Sequence, residues 1–374
     1  MRSGLTAAVM LVAALAAGGA GGARADEAAP KGPLPQGAGL AARYMRDAGV
    51  EGDPAVIFHD GFESGGTSKW NRGYAQKKFS RITREVENVN SGACALEWEV
   101  AAGRDTGGNL GYRFKKGYDA MYMRWYQKFA ADFDQDKLTH TGAGIAGCAP
   151  GVGVPGGAGK KPNGRDKFCT ALDPWRDWGK NPSPGELMLY TYHPDQGGRW
   201  GANLRPKNKT IPKLGRWYCY EIMAEGNTPG QKNGRVAIWA DGRLLEEFGN
   251  LRLRDVESLK CNKIWLVVYL HNSKQTNKAW FDDVVVATKY IGPMQVEPPK
   301  PEKPVASKGT GPAPDPSDRK ASSGRAEKEA GRLFQMARRA ERMGQRAVAE
   351  SLYRQIIEKH SETQAAKKAK EKLE

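Results

Sequence analysis

Hydrophobic and polar residues alternate with a period of two in many short segments between Val56 and Ile291. Side chains alternate across a β-strand, so each segment predicts a strand with one buried and one exposed face. The predicted strands are Val56–His59, Lys78–Thr83, Cys94–Val100, Tyr112–Lys115, Met121–Phe129, Leu187–His193, Trp217–Met223, Arg235–Asp241, Lys263–His271 and Trp280–Ile291. Gly, Pro, Asn and Asp separate them, and little helical pattern intervenes. This predicts a mainly β domain, an antiparallel jelly-roll β-sandwich over residues 54–294.

The segment Leu187–His193 places Tyr190 and Tyr192 on the face opposite Leu187 and Leu189. If the leucines are buried, the tyrosines line an exposed surface. Paired phenols suit carbohydrate, because they offer stacking area and hydroxyls that exchange protons. Tyrosine is also an ordinary strand residue, so the pattern by itself leaves a purely structural role open.

Two further segments combine an apolar face with an aromatic and basic one. In Met121–Phe129 the second face carries Arg124 and Tyr126, and in Lys263–His271 it carries Tyr269 and His271. Exposed aromatic residues grouped on one sheet suggest a ligand surface. We therefore expect Arg124, Tyr126 and His271 to contact a ligand.

The chain begins with the features of an export signal. Arg2 precedes an apolar run, and Ala23-Arg24-Ala25 fits the small-x-small pattern of signal peptidase sites. We expect residues 1–25 to be removed and the mature protein to be secreted or periplasmic. No later apolar run is long enough to predict a transmembrane segment. Residues 26–53 form an Ala/Gly-rich segment before the first predicted strand.

Residues 295–324 are rich in Pro, Gly and Ser and predict a linker. Residues 325–374 change to a helical period, which predicts a helical hairpin. Its small residue at Ala337, turn at Gly344 and Tyr353 on the second helix resemble a tetratricopeptide repeat, although Ser361 stands where that family usually has proline. Stacked repeats need neighbours to bury their faces, so the hairpin is either a docking module for a protein partner or a plain charged hairpin.

The formal net charge of +16 is spread along the chain. This balance favours an anionic partner, whether acidic polysaccharide, nucleic acid or anionic lipid, and charge alone does not choose among them.

Five cysteines in an exported chain predict two disulfides and one free thiol. We expect Cys148 to pair with Cys169 and Cys219 with Cys261. None of the spacings fits a zinc or haem site. Glu63 and Asp282 or Asp283 are candidates for a structural calcium site, and no other cofactor is expected.

A set of motifs resembles the family-14 polysaccharide lyases and their lectin-like relatives over roughly residues 54–294. The motifs are Tyr122-Met-Arg-Trp-Tyr-Gln-Lys-Phe, Asp136-Lys137-Leu138, Tyr190-Thr-Tyr192-His-Pro, Asn227-Thr-Pro-Gly, Gly234-Arg-Val-Ala-Ile-Trp-Ala-Asp241 and Phe281-Asp-Asp-Val-Val-Val-Ala. The resemblance implies a concanavalin A-like jelly roll. It also implies that Lys137, Tyr190 and Tyr192 belong to the site.

The chain departs from that family at two points. Lys137-Leu138 is followed by Thr139-His140 rather than by Pro-Gly-Leu, and the arginine of the family has no clear counterpart in Phe168–Asp173. His140 lies beside glycines that allow a ligand to approach. It is therefore a local candidate for the site, and a loop histidine without a function is the alternative.

β-Elimination of a uronic acid polymer needs a cation or strong donor on the carboxylate, a base for the proton at C5 and an acid for O4. We assign the first role to Lys137 or His140, and both proton transfers to Tyr192 with help from Tyr190. Arg199, Trp200 and Asn203 follow the tyrosine strand and are candidate subsite residues, which a surface role would equally explain.

The sequence thus favours a lyase of an acidic polysaccharide, although whether the chain is an enzyme at all stays open. The alternative is a non-catalytic glycan-binding lectin domain whose helical tail docks a partner. The Glu-x-Asp-x-x-Glu strand of sandwich-fold glucanases is absent, which disfavours retaining hydrolysis. Nucleic-acid binding is not expected.

Overall fold

The protein is described here by a computed structural model. The structure describes residues 31–75, 79–136, 139–153, 159–271 and 273–296, and in the C-terminal part residues 327, 330, 331, 333–335, 337, 338, 341 and 346–373. The chain divides into two compact units, residues 1–299 and residues 300–374. The domain limits predicted from the sequence remain predictions.

The larger unit contains two antiparallel sheets. Its strands are β1 (Val56–Asp60), β2 (Arg72–Ala75), β3 (Ser80–Thr83), β4 (Ala95–Val100), β5 (Thr106–Tyr118), β6 (Ala120–Phe129), β7 (Thr139–Cys148), β8 (Lys167–Trp175), β9 (Glu186–Tyr192), β10 (Ala202–Leu204), β11 (Trp217–Glu225), β12 (Gly234–Ala240), β13 (Arg243–Leu251), β14 (Cys261–Leu270) and β15 (Asn277–Ala287). The eight-stranded sheet has the order β13-β12-β11-β6-β15-β4-β3, with β1 also paired to β15. The seven-stranded sheet has the order β10-β9-β8-β7-β14-β5-β2.

The two sheets face each other across one hydrophobic core. Apolar residues at alternating positions, such as Trp98 and Met123 from one sheet and Leu189 and Leu266 from the other, are buried together in it. Burying one face of each sheet is what the period-two pattern predicts. The prediction of a mainly β, antiparallel sandwich is confirmed.

Residues 34–55 cover the outer face of the eight-stranded sheet. Leu40 and Val50 are buried there against Tyr122 and Trp239. The guanidinium of Arg124 is fully buried beneath this segment and forms an ion pair with Asp47. This face is therefore a second, smaller core rather than a ligand surface.

The expected disulfides are not formed, because all five cysteines are free and buried. Cys148 and Cys169 lie in one cluster on the seven-stranded sheet. Cys219 lies on β11 beside Tyr126, whereas Cys261 lies in the core between the sheets. The two members of the second expected pair therefore belong to different layers.

The candidate calcium ligands Glu63 and Asp283 accept hydrogen bonds from the loop of residues 90–94. Glu63 accepts hydrogen bonds from the backbone N–H groups of Ala93 and Cys94 at 2.9 and 3.0 Å. Asp283 accepts hydrogen bonds from the side chains of Asn90 and Ser91 at 2.8 and 2.7 Å. Their carboxylates thus already have partners in the protein.

The smaller unit contains α1 (Arg346–Lys359) and α2 (Gln364–Lys370). The Thr363 hydroxyl caps α2 by accepting the N–H of Ala366 at 3.2 Å. Tyr353 and Ile356 of α1 are buried with the alanines of α2. The likeness to a tetratricopeptide repeat stays a prediction. Across all described residues, no helix has the length and apolar character needed to cross a membrane.

Candidate functional site

The outer face of the seven-stranded sheet is where the predicted tyrosines lie. Tyr190 pairs with Ala171, which pairs with Gly144, which in turn pairs with Trp265. Paired residues in adjacent strands point to the same side of a sheet. Their neighbours in the strands, including Leu189, Leu172 and Leu266, are in the core. The polar and aromatic residues at the alternate positions therefore face away from the core.

Five aromatic rings form a continuous row across this face. The ring centroids of Tyr192 and Tyr190 are 5.4 Å apart, those of Tyr190 and His140 are 5.5 Å apart, and those of His140 and Tyr269 are 6.0 Å apart. His271 continues the row 6.1 Å from Tyr269. The row joins β9, β7 and β14, and we call it the aromatic row.

His140 is held at the centre of the row by a carboxylate that the sequence did not single out. Its Nδ1 lies 2.8 Å from Oδ2 of Asp173 on β8. Asp173 is buried, and its second oxygen has no hydrogen-bond partner among the residues that the structure describes, whereas the His140 side chain is 35% exposed. Burial acts to lower the pKa of His140, but the charge and hydrogen bond of Asp173 outweigh it, so the pKa is raised above its ordinary value.

The hydroxyls of Tyr190 and Tyr192 form a pair 3.3 Å apart. The backbone N–H of Gly201 donates to the Tyr190 hydroxyl at 3.1 Å, and that of Gly159 donates to the Tyr192 hydroxyl at 3.2 Å. Burial is the main reason that the pKa of Tyr190 is raised, and the hydrogen bond to the Tyr192 hydroxyl raises it further. Tyr190 is therefore a neutral phenol at neutral pH and is suited to donate a proton rather than to begin as a base.

The two tyrosines differ in their access to a ligand. Tyr192 is only 8% exposed and belongs to an apolar cluster with Trp265, Ala171 and Cys169. Tyr190 is half-buried and packs at the margin of that cluster, next to His140. Tyr190 is therefore the more accessible of the two phenols.

Trp265 forms the floor beside the tyrosines. Its indole lies over Gly144 of the neighbouring strand, where an added Cβ would come within 2.0 Å of Cζ2. Arg113 closes this end of the face by donating to the backbone carbonyls of Cys148, Ala149 and Val152 at 2.9 to 3.1 Å. The face is thus apolar beneath Tyr192 and polar around His140.

Four further candidate site residues lie at the surface near the aromatic row, and a fifth is outside the described residues. Arg199, Trp200, Asn203 and His271 are all exposed, and Asn203 pairs with Tyr190 across β10 and β9. The Arg199 guanidinium lies 4.8 Å from the ring centroid of Trp200. Lys137 lies outside the described residues. These four exposed residues surround or extend the aromatic row.

The expectation that Arg124 and Tyr126 share the ligand surface is not met. Both lie on β6 in the other sheet, where Arg124 is paired with Asp47 and the Tyr126 hydroxyl accepts the N–H of Met294 at 2.9 Å. Arg124 and Tyr126 do lie on the face of β6 that points away from the main core, as the alternation predicts. Residues 34–55, and not solvent, cover that face. Asp173, conversely, was missed because only strand pairing brings it next to His140.

The arrangement offers a base, an acid and stacking surface within one row. A histidine hydrogen-bonded to a carboxylate through Nδ1 presents Nε2 as a proton acceptor. A neutral phenol next to it can donate a proton. Within the described ranges, no group of three or more His, Cys, Asp or Glu side chains is placed to hold a metal ion.

Comparisons with known proteins give similarity in structure but not in sequence. No protein-family model and no curated protein matches the sequence. Among solved structures, the marine PL-14 alginate lyase from Aplysia kurodai matches with a TM-score of 0.49 and 15% identity, over 63% of this chain and 97% of that one. The alginate lyase vAL-1 from Chlorella virus matches at 0.47 and 15%, over 63% and 100%. The endo-β-1,4-glucuronan lyase from the fungus Trichoderma reesei matches at 0.43 and 16%, over 63% and 96%.

Proposed function

We propose that the protein is a polysaccharide lyase that cleaves a uronate-containing polymer by β-elimination. The observation that carries the proposal is the pairing of His140 with Asp173 directly beside the hydrogen-bonded phenols of Tyr190 and Tyr192. This places a proton acceptor and a proton donor on one exposed sheet face that also offers aromatic stacking. Those are the parts that elimination from a sugar polymer needs.

His140 takes the base role. The Asp173 carboxylate accepts the Nδ1 proton and fixes the ring, so that the Nε2 lone pair accepts the proton from C5 of the uronate. Asp173 then stabilises the imidazolium that forms, because its charge lies 2.8 Å from the ring nitrogen. The electron pair left at C5 forms the C4–C5 double bond as the bond from C4 to O4 breaks.

Tyr190 takes the acid role. Its hydroxyl is protonated at neutral pH and delivers a proton to the departing O4. The Tyr192 hydroxyl, 3.3 Å away, shares the negative charge left on Tyr190, and the proton held by the His140 imidazolium beside it then returns to Tyr190, which restores both groups. The N–H groups of Gly201 and Gly159, one on each phenol, stabilise the negative charge that appears transiently on either oxygen.

A cation on the uronate carboxylate completes the chemistry. Lys137 stands three residues before His140 in the sequence, and Arg199 lies on the rim beside Trp200. We assign this role to Lys137, which the resemblance also implies. The formal net charge of +16 favours the approach of an anionic polymer.

Export and partner binding belong to the same proposal. The signal-like residues 1–25 would deliver the protein to the periplasm or the medium, where such polymers are found. The helices of residues 346–370 would serve to dock a protein partner. Both expectations come from the sequence.

The test is incubation of the purified protein with a panel of uronate polymers, alongside neutral polymers as controls. Elimination gives a product with a new C4–C5 double bond, detected by its ultraviolet absorbance, and a mass lower by one water than a hydrolysis product. Unsaturated products from at least one polyuronate are expected. Retention on polyuronate gels without any such product would instead indicate the lectin function.

A further inference from the structure

Two of the ten tryptophans are exposed to solvent, and both lie at the seven-stranded sheet. Trp178 is 63% exposed and Trp200 is 54% exposed, whereas the other eight are buried or half-buried. Exposing a large indole forgoes the free energy gained by burying its apolar surface. Two such residues beside one candidate site are therefore candidates for contacts with a ligand.

Trp178 lies at one end of the site. It packs edge to face against Trp175, with ring centroids 5.3 Å apart. Trp175 is two residues beyond Asp173 on β8, so the two side chains point to the same side of the sheet. Trp178 therefore continues the outer face past the end of β8.

Trp200 lies at the opposite end. It precedes Gly201, whose N–H donates to the Tyr190 hydroxyl and where an added Cβ would lie 3.0 Å from the rings of both tyrosines. The Arg199 guanidinium lies over its indole at 4.8 Å. A sugar ring stacked here would meet an aromatic face with a cation beside it, which suits a uronate.

The two indoles are separated along the strand direction. Trp175 pairs with Glu186, while Trp200 is next to the Tyr192 end of the same strand, six residues away. At about 3.3 Å per residue this corresponds to roughly 20 Å. Asp173 and Tyr190 occupy positions between these two ends.

We propose that Trp178 and Trp200 are two sugar-stacking subsites on either side of the His140 and Tyr190 centre, so that the polymer lies along β8 and β9. This inference rests on the proposed function. It adds that the substrate is a chain several sugars long, with the cleaved bond in its interior. Short oligosaccharides can reach one indole but not both.

The test measures the dissociation constants of polyuronate oligosaccharides of increasing length, by titration calorimetry. His140→Gln is used as the background, so that the ligand is not consumed. Affinity should rise with length until both indoles are reached. Trp178→Ala and Trp200→Ala should each weaken the longest ligands by about tenfold, which corresponds to about 1.4 kcal/mol and lies within the range of a single aromatic contact.

Binding of a disaccharide should be weakened by at most one of these two substitutions. Trp178→Phe should restore most of the affinity, because it keeps an aromatic face. The matched control is Val86→Ala, which truncates an apolar side chain that is also exposed but lies in the short helical turn Val86–Asn88 after β3, on the other sheet. Urea midpoints recorded for each variant identify any loss that comes from unfolding.

Affinity that does not depend on length in the His140→Gln background, or long ligands that bind Trp178→Ala and Trp200→Ala in that background as tightly as the His140→Gln protein alone, would overturn the inference. Unsaturated product formed by the wild-type protein would in either case leave the lyase function intact. Length-dependent, tryptophan-dependent binding without any product would instead support the subsites and reject the lyase.

Discussion

Asp173 determines what His140 can do. A neutral imidazole can carry its proton on either ring nitrogen, and the bond from Nδ1–H to Asp173 selects the tautomer with its acceptor at Nε2. Among the described residues, the second oxygen of this buried carboxylate has no hydrogen-bond partner, and His140 is the side chain that binds the first. This residue converts an ordinary surface histidine into a candidate base.

Asp173→Asn should shift the pH dependence of the reaction. The pKa of His140 is raised in the wild-type protein, and a base must be unprotonated, so kcat/KM should rise with pH through that pKa. Removing the charge lowers the pKa, which should move the rising limb to lower pH. The plateau rate should also fall, by about 100-fold, because the ring is a weaker and less well oriented base. Rates across pH, with an NMR titration of His140, provide the measurement.

A kcat/KM that falls as pH rises through the pKa of His140 would contradict the assignment of His140 as the base. If His140 acted as a cation on the carboxylate, activity would fall as pH rises, and Asp173→Asn would move that fall to lower pH. A profile unchanged by the substitution would mean that the pair has only a structural function.

Arg124 should behave as a stability residue and not as a ligand residue. Arg124→Met leaves the Asp47 carboxylate buried without its partner, which costs about 3 to 5 kcal/mol in the free energy of unfolding. The control is Arg124→Met combined with Asp47→Asn, which should recover much of the loss. Urea denaturation measures both. Weaker polyuronate binding at unchanged stability would contradict the placement of Arg124 away from the site.

At the residue scale the sequence could predict the tyrosines but not their partners. Alternation along Leu187–His193 was enough to place Tyr190 and Tyr192 on one face. The contact between His140 and Asp173 spans 33 residues of sequence and depends on the register of β7 with β8. Exposure is likewise set by covering segments, and so Arg124 and Tyr126 were placed on the wrong surface.

Strand β7 carries His140, and its amino-acid composition is the reason why the hydrophobic pattern does not predict it as a strand. Three glycines and two alanines give it little period-two signal, since glycine usually weakens a strand. In β7 the glycines leave room for groups of the adjacent strands. An added Cβ at Gly144 would overlap the Trp265 indole, and one at Gly142 would overlap the Leu172 carbonyl. All ten predicted strands are present, whereas β2, β7, β8, β10 and β13 were not predicted.

Gly144→Ala should therefore destabilise the sheet and displace Trp265. The added methyl group would overlap the indole, and overpacking of this kind costs about 1 to 3 kcal/mol. Gly249→Ala on β13 is the matched control, because nothing lies within 4 Å of its added Cβ. The free energies of unfolding of both variants give the comparison. Equal stabilities would show that Trp265 can move away without cost.

At the scale of the whole molecule, the outer faces of the two sheets differ in what covers them. The outer face of the eight-stranded sheet is covered by residues 34–55 and adds a second core. The outer face of the seven-stranded sheet carries the aromatic row and the two exposed tryptophans. Period-two alternation predicts the sandwich, but it does not reveal which outer face is covered, because both faces carry aromatic and basic residues.

The most direct test of the central claim compares catalysis and binding in Tyr190→Phe. The substitution keeps the ring beside His140 and removes the proton that would pass to O4. Tyr269→Phe, which removes a hydroxyl from the other neighbour of His140, is the matched control. We predict that Tyr190→Phe lowers the rate of unsaturated product formation by at least about 100-fold while its dissociation constant for a long polyuronate stays within about twofold of wild type. Product formation at the wild-type rate by Tyr190→Phe would contradict the account.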